Sequence, residues 1–160
     1  MNSEKPFALL RIAFGVVWAI DAGFKWTPSF INGFTGYLTS ALDGQPAWIQ
    51  DWINMWVHFV SINPHAFAIV VALGESAIAA GLIFGLFTRL ALAGGIILAL
   101  VIWVTAEGFG GPYAAGSTDV GTGIIYVLVF IALWLGRSWR SYSLDSLIKR
   151  RLRSSSKNSE

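Results

Sequence analysis

The stretch FALLRIAFGVVWAIDAGFKW, residues 7–26, decides how the rest of the chain is read. It is long and apolar enough for a helix that crosses a bilayer, which takes about 20 residues. Yet it carries Arg11, Asp21 and Lys25. A charged side chain in lipid is costly and persists only where it faces protein, finds an opposite charge or extends its stem to the interface. The segment therefore predicts a membrane helix with one face turned toward a polar protein interior.

Three further apolar blocks, residues 66–87, 90–106 and the slightly shorter 120–136, predict three more spans. Only 12% of the 160 residues are charged and 55% are hydrophobic, whereas a soluble domain carries about 25% charge. The start of the chain does not read as a signal peptide. Glu4 stands beside Lys5, Arg11 and Asp21 interrupt the apolar core, and no small-x-small cleavage pattern follows, so the first span is expected to be retained. The absence of cysteine excludes disulfides, thiolate metal sites, iron–sulfur clusters and dithiol relays within this chain. Electrons in any redox role would pass through a bound cofactor, a quinone or a partner subunit.

Basic residues set the expected orientation. Lys5 and Arg11 lie near the start of the first span, Arg89 in the turn between the second and third, and seven more lysines and arginines follow the fourth. An N-in, C-in arrangement puts all of them on the cytoplasmic side. Only Lys25 falls on the other side, where Asp43, Asp51, Glu107 and Asp119 also lie. The expected architecture is an all-α, integral-membrane four-helix bundle: a four-span domain over residues 1–136 and a basic cytoplasmic tail over 137–160. The tail has seven basic residues against Asp145 and Glu160, a net of +5, which leaves −3 for the remainder of a chain whose total is +2. Leu144, Leu147, Ile148 and Leu152 recur at helical spacing among those charges, as in an amphipathic helix on anionic lipid. Nucleic-acid binding is not expected, because the same basic run serves topology. Residues 154–160 are expected to fray.

The outer loop, residues 27–65, is too long to be structureless. Residues 46–60 read as a helix, with Trp48, Trp52, Trp56 and Phe59 at spacings of three or four and Ile49, Ile53 and Val57 beside them. An interfacial anchor is the preferred reading, since aromatic belts are general in membrane proteins. A lid over a lipophilic pocket is the functional alternative.

Within the spans, Arg11, Gly15, Trp18, Ala22 and Lys25 share one helical face, and Asp21 is placed to pair with Lys25 at i,i+4. Arg11 is near enough to the cytoplasmic end to extend to the interface. Glu75 falls near the middle of the second span, with Gly74 and Ala79 allowing close helix approach. Ion pairing that fixes helix register accounts for these charges, and so does a functional interior. A midplane glutamate can carry a proton, bond a quinone oxygen or balance a cation. Arg11, Asp21, Lys25 and Glu75 are the candidate catalytic residues. Glu107, Tyr113, Asp119 and Tyr126 are the candidate substrate-binding residues toward the outer mouth.

The loop 107–123 is rich in glycine. Ser117, Thr118 or Asp119 is expected to cap the fourth span, whose dipole also suits an anion. It lacks the glycine-lysine-serine/threonine ending of a nucleotide loop. His58 and His65, seven apart in the outer loop, have no cysteine or evident acidic co-ligand, so no metal or haem site is expected from this chain alone.

Several of these segments resemble the DoxX/DoxD family of small four-helix membrane proteins. The resemblance rests on LRIAFG (residues 10–15) leading to AGFK (22–25), Gly74-Glu75, GLIFGLFTRLA (81–91) and STDVG (117–121) with Tyr126. The last segment is similar to the DoxD side, whose name-giving member resembles the small subunit of a thiosulfate:quinone oxidoreductase. The resemblance implies a multi-pass subunit in a prokaryotic cytoplasmic membrane. It would transfer electrons to quinone while a sulfur compound is oxidised outside, with a partner supplying the extracytoplasmic catalytic domain. A non-catalytic scaffold of a larger membrane complex is the alternative. A transporter or proton-conducting bundle ranks last, for want of an inverted repeat or a proline-broken span. Either further subunits or a homo-oligomer would deepen the cleft of so thin a bundle.

Overall fold

The computed structural model describes residues 4–157, with side chains as far as Arg151. The described residues contain helices and no strands. Helix α1 (Glu4–Lys25) has an acidic residue in its first turn and a basic one in its last, both favourable to the helix dipole. It stops before Thr27-Pro28, where the Thr27 hydroxyl accepts from Phe30 N and Pro28 begins α2 (Pro28–Asn32). Gly33 separates α2 from α3 (Phe34–Thr39). Neither short helix was expected from the pattern of the outer loop. After Pro46, α4 (Ala47–Val60) forms within a residue of its expected range.

Helix α5 (Pro64–Phe84) starts at an Asn63 cap and ends at Gly85, which adopts φ +65°. Glycine takes this left-handed conformation without steric cost, so α5 ends before the expected residue 87. Helices α6 (Thr88–Val104) and α7 (Thr122–Leu135) follow, then α8 (Leu144–Lys157). The backbone stays helical over 154–157, where fraying was expected; residues 158–160 lie outside the described part.

By length and composition, α1 and α5 can cross a membrane, with α6 and α7 apolar but shorter, at 17 and 14 residues. Helix α1 runs antiparallel along α5, which packs on α6, which packs on α7. Glycines set the closest approaches: Gly15 lies against Leu82 and Ile83, and Gly95 lies directly under the Phe130 ring. Aromatic side chains fill the space between α1 and α7. Phe14 meets Phe130 at 5.0 Å between ring centroids, Trp18 meets Phe130 at 5.1 Å and Phe14 meets Tyr126 at 5.3 Å, all edge-on. Such pairs add about 0.5–1.5 kcal/mol each to burial alone. A second, smaller core joins Phe30, Phe34, Leu38, Val60 and Ala68, where α2, α3 and α4 cover the first turns of α5.

The outward faces are apolar. Ile20, Val70, Ile97 and Leu128, one from each of α1, α5, α6 and α7, are 59–65% exposed. One end of the molecule carries α2–α4 and is rich in aromatic residues. The other carries the start of α1, the α5–α6 turn and α8, and is rich in basic residues.

A Cβ at Gly95 would fall within the Phe130 ring, whereas at Gly94 its nearest neighbour is Ile78 Cγ1 at 3.9 Å. Gly95→Ala should therefore destabilise the protein by about 1–3 kcal/mol. A clear fall in the detergent-solubilised thermal midpoint is expected for Gly95→Ala, and none for Gly94→Ala.

Candidate functional site

Asp21 and Lys25 lie one turn apart on α1 and pair at 3.1 Å. The Lys25 ammonium also reaches across to α5, 3.4 Å from Glu75 Oε2. Glu75 is fully buried, while Lys25 is 18% and Asp21 42% exposed at the side chain. Although the ammonium is close, neither Glu75 oxygen has a hydrogen-bond partner. The same ammonium lies 5.5 Å from the centroid of the Phe30 ring. Beside the ion pair, Trp26 Nε1 donates to Ser76 Oγ at 3.0 Å and ties the end of α1 to α5.

These charges line a cavity of about 670 Å³ at the aromatic end. Its polar lining includes Asp21, Lys25, Glu75, Glu107 and Tyr126, with Thr and Ser groups from the α1–α2 junction, the residue after α6 and the start of α7. Aromatic walls come from Trp18, Phe30, Phe34, Trp56 and Phe67. The indole N–H groups of Trp18 and Trp56 are buried without acceptors. Two donors and one carboxylate thus lie within the packed wall of the cavity without hydrogen bonds. Buried polar groups are ordinarily paired, so this wall is polar in an unusual way, while its aromatic side chains suit a flat apolar body.

Glu107 occupies the mouth differently from expectation. Its Oε2 accepts from Gly123 N at 2.9 Å and so caps α7 from 16 residues upstream. Gly123 permits this, because a Cβ there would meet Ala99 O and Trp103 Cβ. The expected local caps do other work: Ser117 bonds Pro112 O and Ala114 N, and Asp119 accepts from Gly121 N at 2.8 Å, just before the helix. The anion position at this dipole is filled by the chain's own carboxylate.

The structure therefore gathers five of the eight sequence candidates, Asp21, Lys25, Glu75, Glu107 and Tyr126, around one space. Arg11, Tyr113 and Asp119 lie elsewhere. Arg11 does not extend to an interface: it is fully buried at the basic end and donates to Ser138 O at 2.9 Å and Tyr142 O at 2.6 Å. Tyr113 is exposed, with its hydroxyl donating to Phe109 O at 2.6 Å. Trp18 and Trp56 are cavity residues that the sequence places on the charged face of α1 and in the alternative lid helix, though not among the candidate site residues. On α4, Ile49, Ile53 and Val60 are buried, while Trp48 and Phe59 remain largely exposed. Trp52 Nε1 donates to Val104 O at 2.9 Å and fastens α4 to the end of α6. The helix is thus both an aromatic surface element and, through Trp56, part of the cavity wall. Among the described residues, no cluster of three metal-ligating side chains occurs.

The DoxX family model matches residues 7–108, and the chain belongs to that family. The match takes in α1 through α6 and Glu107, whereas Asp119 and Tyr126 lie beyond it. Neither a curated protein nor a solved structure matches the chain.

Removing the ammonium would leave Glu75 buried without a partner, a change that costs about 3–5 kcal/mol for a broken buried pair. Lys25→Met should lower the thermal midpoint strongly. Lys25→Met combined with Glu75→Leu should recover most of that loss, a non-additivity readable in a double-mutant cycle.

Proposed function

We propose that the chain is a four-span subunit of a quinone-linked oxidoreductase in a prokaryotic cytoplasmic membrane, with the quinone ring held in the aromatic-end cavity. Apolar outward faces on α1, α5, α6 and α7 favour membrane embedding. At 1.5 Å per residue α6 covers about 25 Å, near the thickness of a hydrocarbon core of about 30 Å. Arg89, Arg137, Arg140, Lys149 and Arg150 gather at one end, which supports the N-in, C-in orientation.

The observation that carries the proposal is the buried Lys25–Glu75 ion pair at the wall of an aromatic cavity, with the N–H groups of Trp18 and Trp56 unsatisfied in the packing of that wall. The aromatic walls would stack on the ring, and a turn of the Trp18 or Trp56 indole out of its enclosed position would let its N–H donate to a ring carbonyl oxygen. Glu75 would hold a proton at its carboxylate and pass it to, or take it from, a ring oxygen. Lys25 would keep that carboxylate oriented, and half-exposed Asp21, 3.1 Å from Lys25, would link the pair to water. A bound quinone supplies two-electron, two-proton chemistry. With no cysteine in the chain, the electrons would come from a partner subunit's redox centre. Thiosulfate as the ultimate donor rests on the family resemblance.

The exposed Trp48, Met55 and Phe59 of α4 favour a second reading, a scaffold that docks a partner without itself handling quinone. Glu75→Gln separates the two. In the purified complex, quinone reduction should fall at least about tenfold, as expected for loss of a proton-transferring group, with membrane insertion and subunit content intact. Wild-type turnover in that variant would remove Glu75 from the reaction and leave the scaffold reading.

A further inference from the structure

At the basic end, α8 is fastened to the beginning of α6. The Asp145 carboxylate accepts from Phe87 N and Thr88 N at 3.0 and 2.9 Å, and Asp145 N donates to Gly85 O at 3.0 Å. Arg89 stacks on Trp139, 4.6 Å from its ring centroid. A groove of about 770 Å³ lies between these elements, lined by Arg89, Arg140, Lys149 and Arg150. Its two acidic residues are already engaged, Glu4 by Arg140 at 2.9 Å and Asp145 by the backbone amides. Among the described residues, no carboxylate lies within ion-pair distance of Arg89, Lys149 or Arg150. Three cations thus face the groove with no carboxylate assigned to them.

Phe87 and Leu90 form one edge of this groove and are 70% and 72% exposed. The same two residues also line an adjoining furrow of about 560 Å³ between α5 and α6. That furrow is apolar and is left open by the small residues Gly74, Ala77, Gly81, Ala91 and Gly94. A cationic groove therefore adjoins an apolar furrow along two helices, with Phe87 and Leu90 as their common edge.

We infer that the two grooves form one binding site for an anionic phospholipid, with its phosphate at Arg89, Lys149 and Arg150 and an acyl chain in the α5–α6 furrow. Guanidinium groups match phosphate oxygens through paired N–H donors, and ammonium groups add point charge. A soluble phosphate compound would leave the furrow unexplained. A second copy of the chain seated in the furrow would leave the three cations unexplained. A phospholipid satisfies both halves at once, and the shared Phe87–Leu90 edge sits where glycerol meets hydrocarbon.

The inference rests on α5 and α6 being membrane spans, though not on quinone chemistry. Carbonate extraction of membranes tests the span reading separately, since release of the chain would overturn embedding itself. Native mass spectrometry of the detergent-purified chain, given phosphatidylglycerol or phosphatidylcholine of equal chain length, tests the site. Phosphatidylglycerol should be retained about tenfold more strongly. The exposed-charge variant R89Q/K149Q/R150Q, checked for wild-type helicity by circular dichroism, should bring the two lipids to parity. Ala77→Phe, which fills the furrow, should weaken retention of both. Equal retention by the wild type, or a preference that survives the triple variant, would overturn the site. Competition by glycerol phosphate as effective as by intact lipid would reassign the groove to a soluble ligand. A dimer dissolved by Ala77→Phe with lipid retention unchanged would reassign the furrow to a second copy.

Discussion

Lys25 reaches from the last turn of α1 to Glu75, which is buried well inside α5 and has no hydrogen bond of its own. Burial of that carboxylate is tolerable only with a cation beside it, so α1 is held at the level where its final lysine meets the glutamate. Helix α5 continues about eleven residues, or roughly 16 Å, beyond Glu75 toward its N-terminus. The chain leaves α1 sideways, through Thr27 and Pro28, into α2 and α3, and these cover the projecting part of α5 with Phe30, Phe34 and Leu38. The cavity is the space left between the end of one helix and the overhang of its neighbour. Its position, its aromatic roof and its buried charge have a common origin.

Arg11 and Lys25, two of the three cations within α1, are accommodated by different means. Lys25 has carboxylates, one on its own helix and one on α5. Arg11 has backbone carbonyls, brought to it by the chain leaving α7 through left-handed Arg137 and Tyr142. A guanidinium fits the second arrangement, because its donors diverge in a plane and can reach Ser138 and Tyr142 together. One end of α1 thus fixes the cavity and the other fixes the base on which α8 is mounted.

Much of this was legible where the signal is local. The apolar runs located α1, α5, α6 and α7, Pro46 and the tryptophan spacing located α4, and the four-residue interval gave the Asp21–Lys25 pair. Helices α2 and α3 span five and six residues, too few for any periodicity to register. The Lys25–Glu75 contact depends on the register between two helices, which single-sequence spacing does not encode. Glu107 outcompeted the nearer Ser117, Thr118 and Asp119 as the cap of α7 because close approach at Gly123 brought a distant carboxylate into line. Arg11 was assigned an interfacial fate because its actual partners lie 127 and 131 residues away. Trp18 shared the charged face of α1 and Trp56 the face of the alternative lid, but tryptophan suits a core, an interface and a ligand wall alike, so neither position alone marked a site residue.

Glu107 at the head of α7 has a consequence for what the cavity admits. With Asp21 and Glu75 it makes three carboxyl groups around a space holding one ammonium. The helix dipole that would otherwise attract an incoming anion is already neutralised from within. A small anion approaching this mouth would meet repulsion from the carboxyl groups, while an uncharged apolar body would meet aromatic walls. The chamber thus discriminates by charge before shape: its carboxylates turn away small anions, and its aromatic walls leave an uncharged, apolar body unopposed.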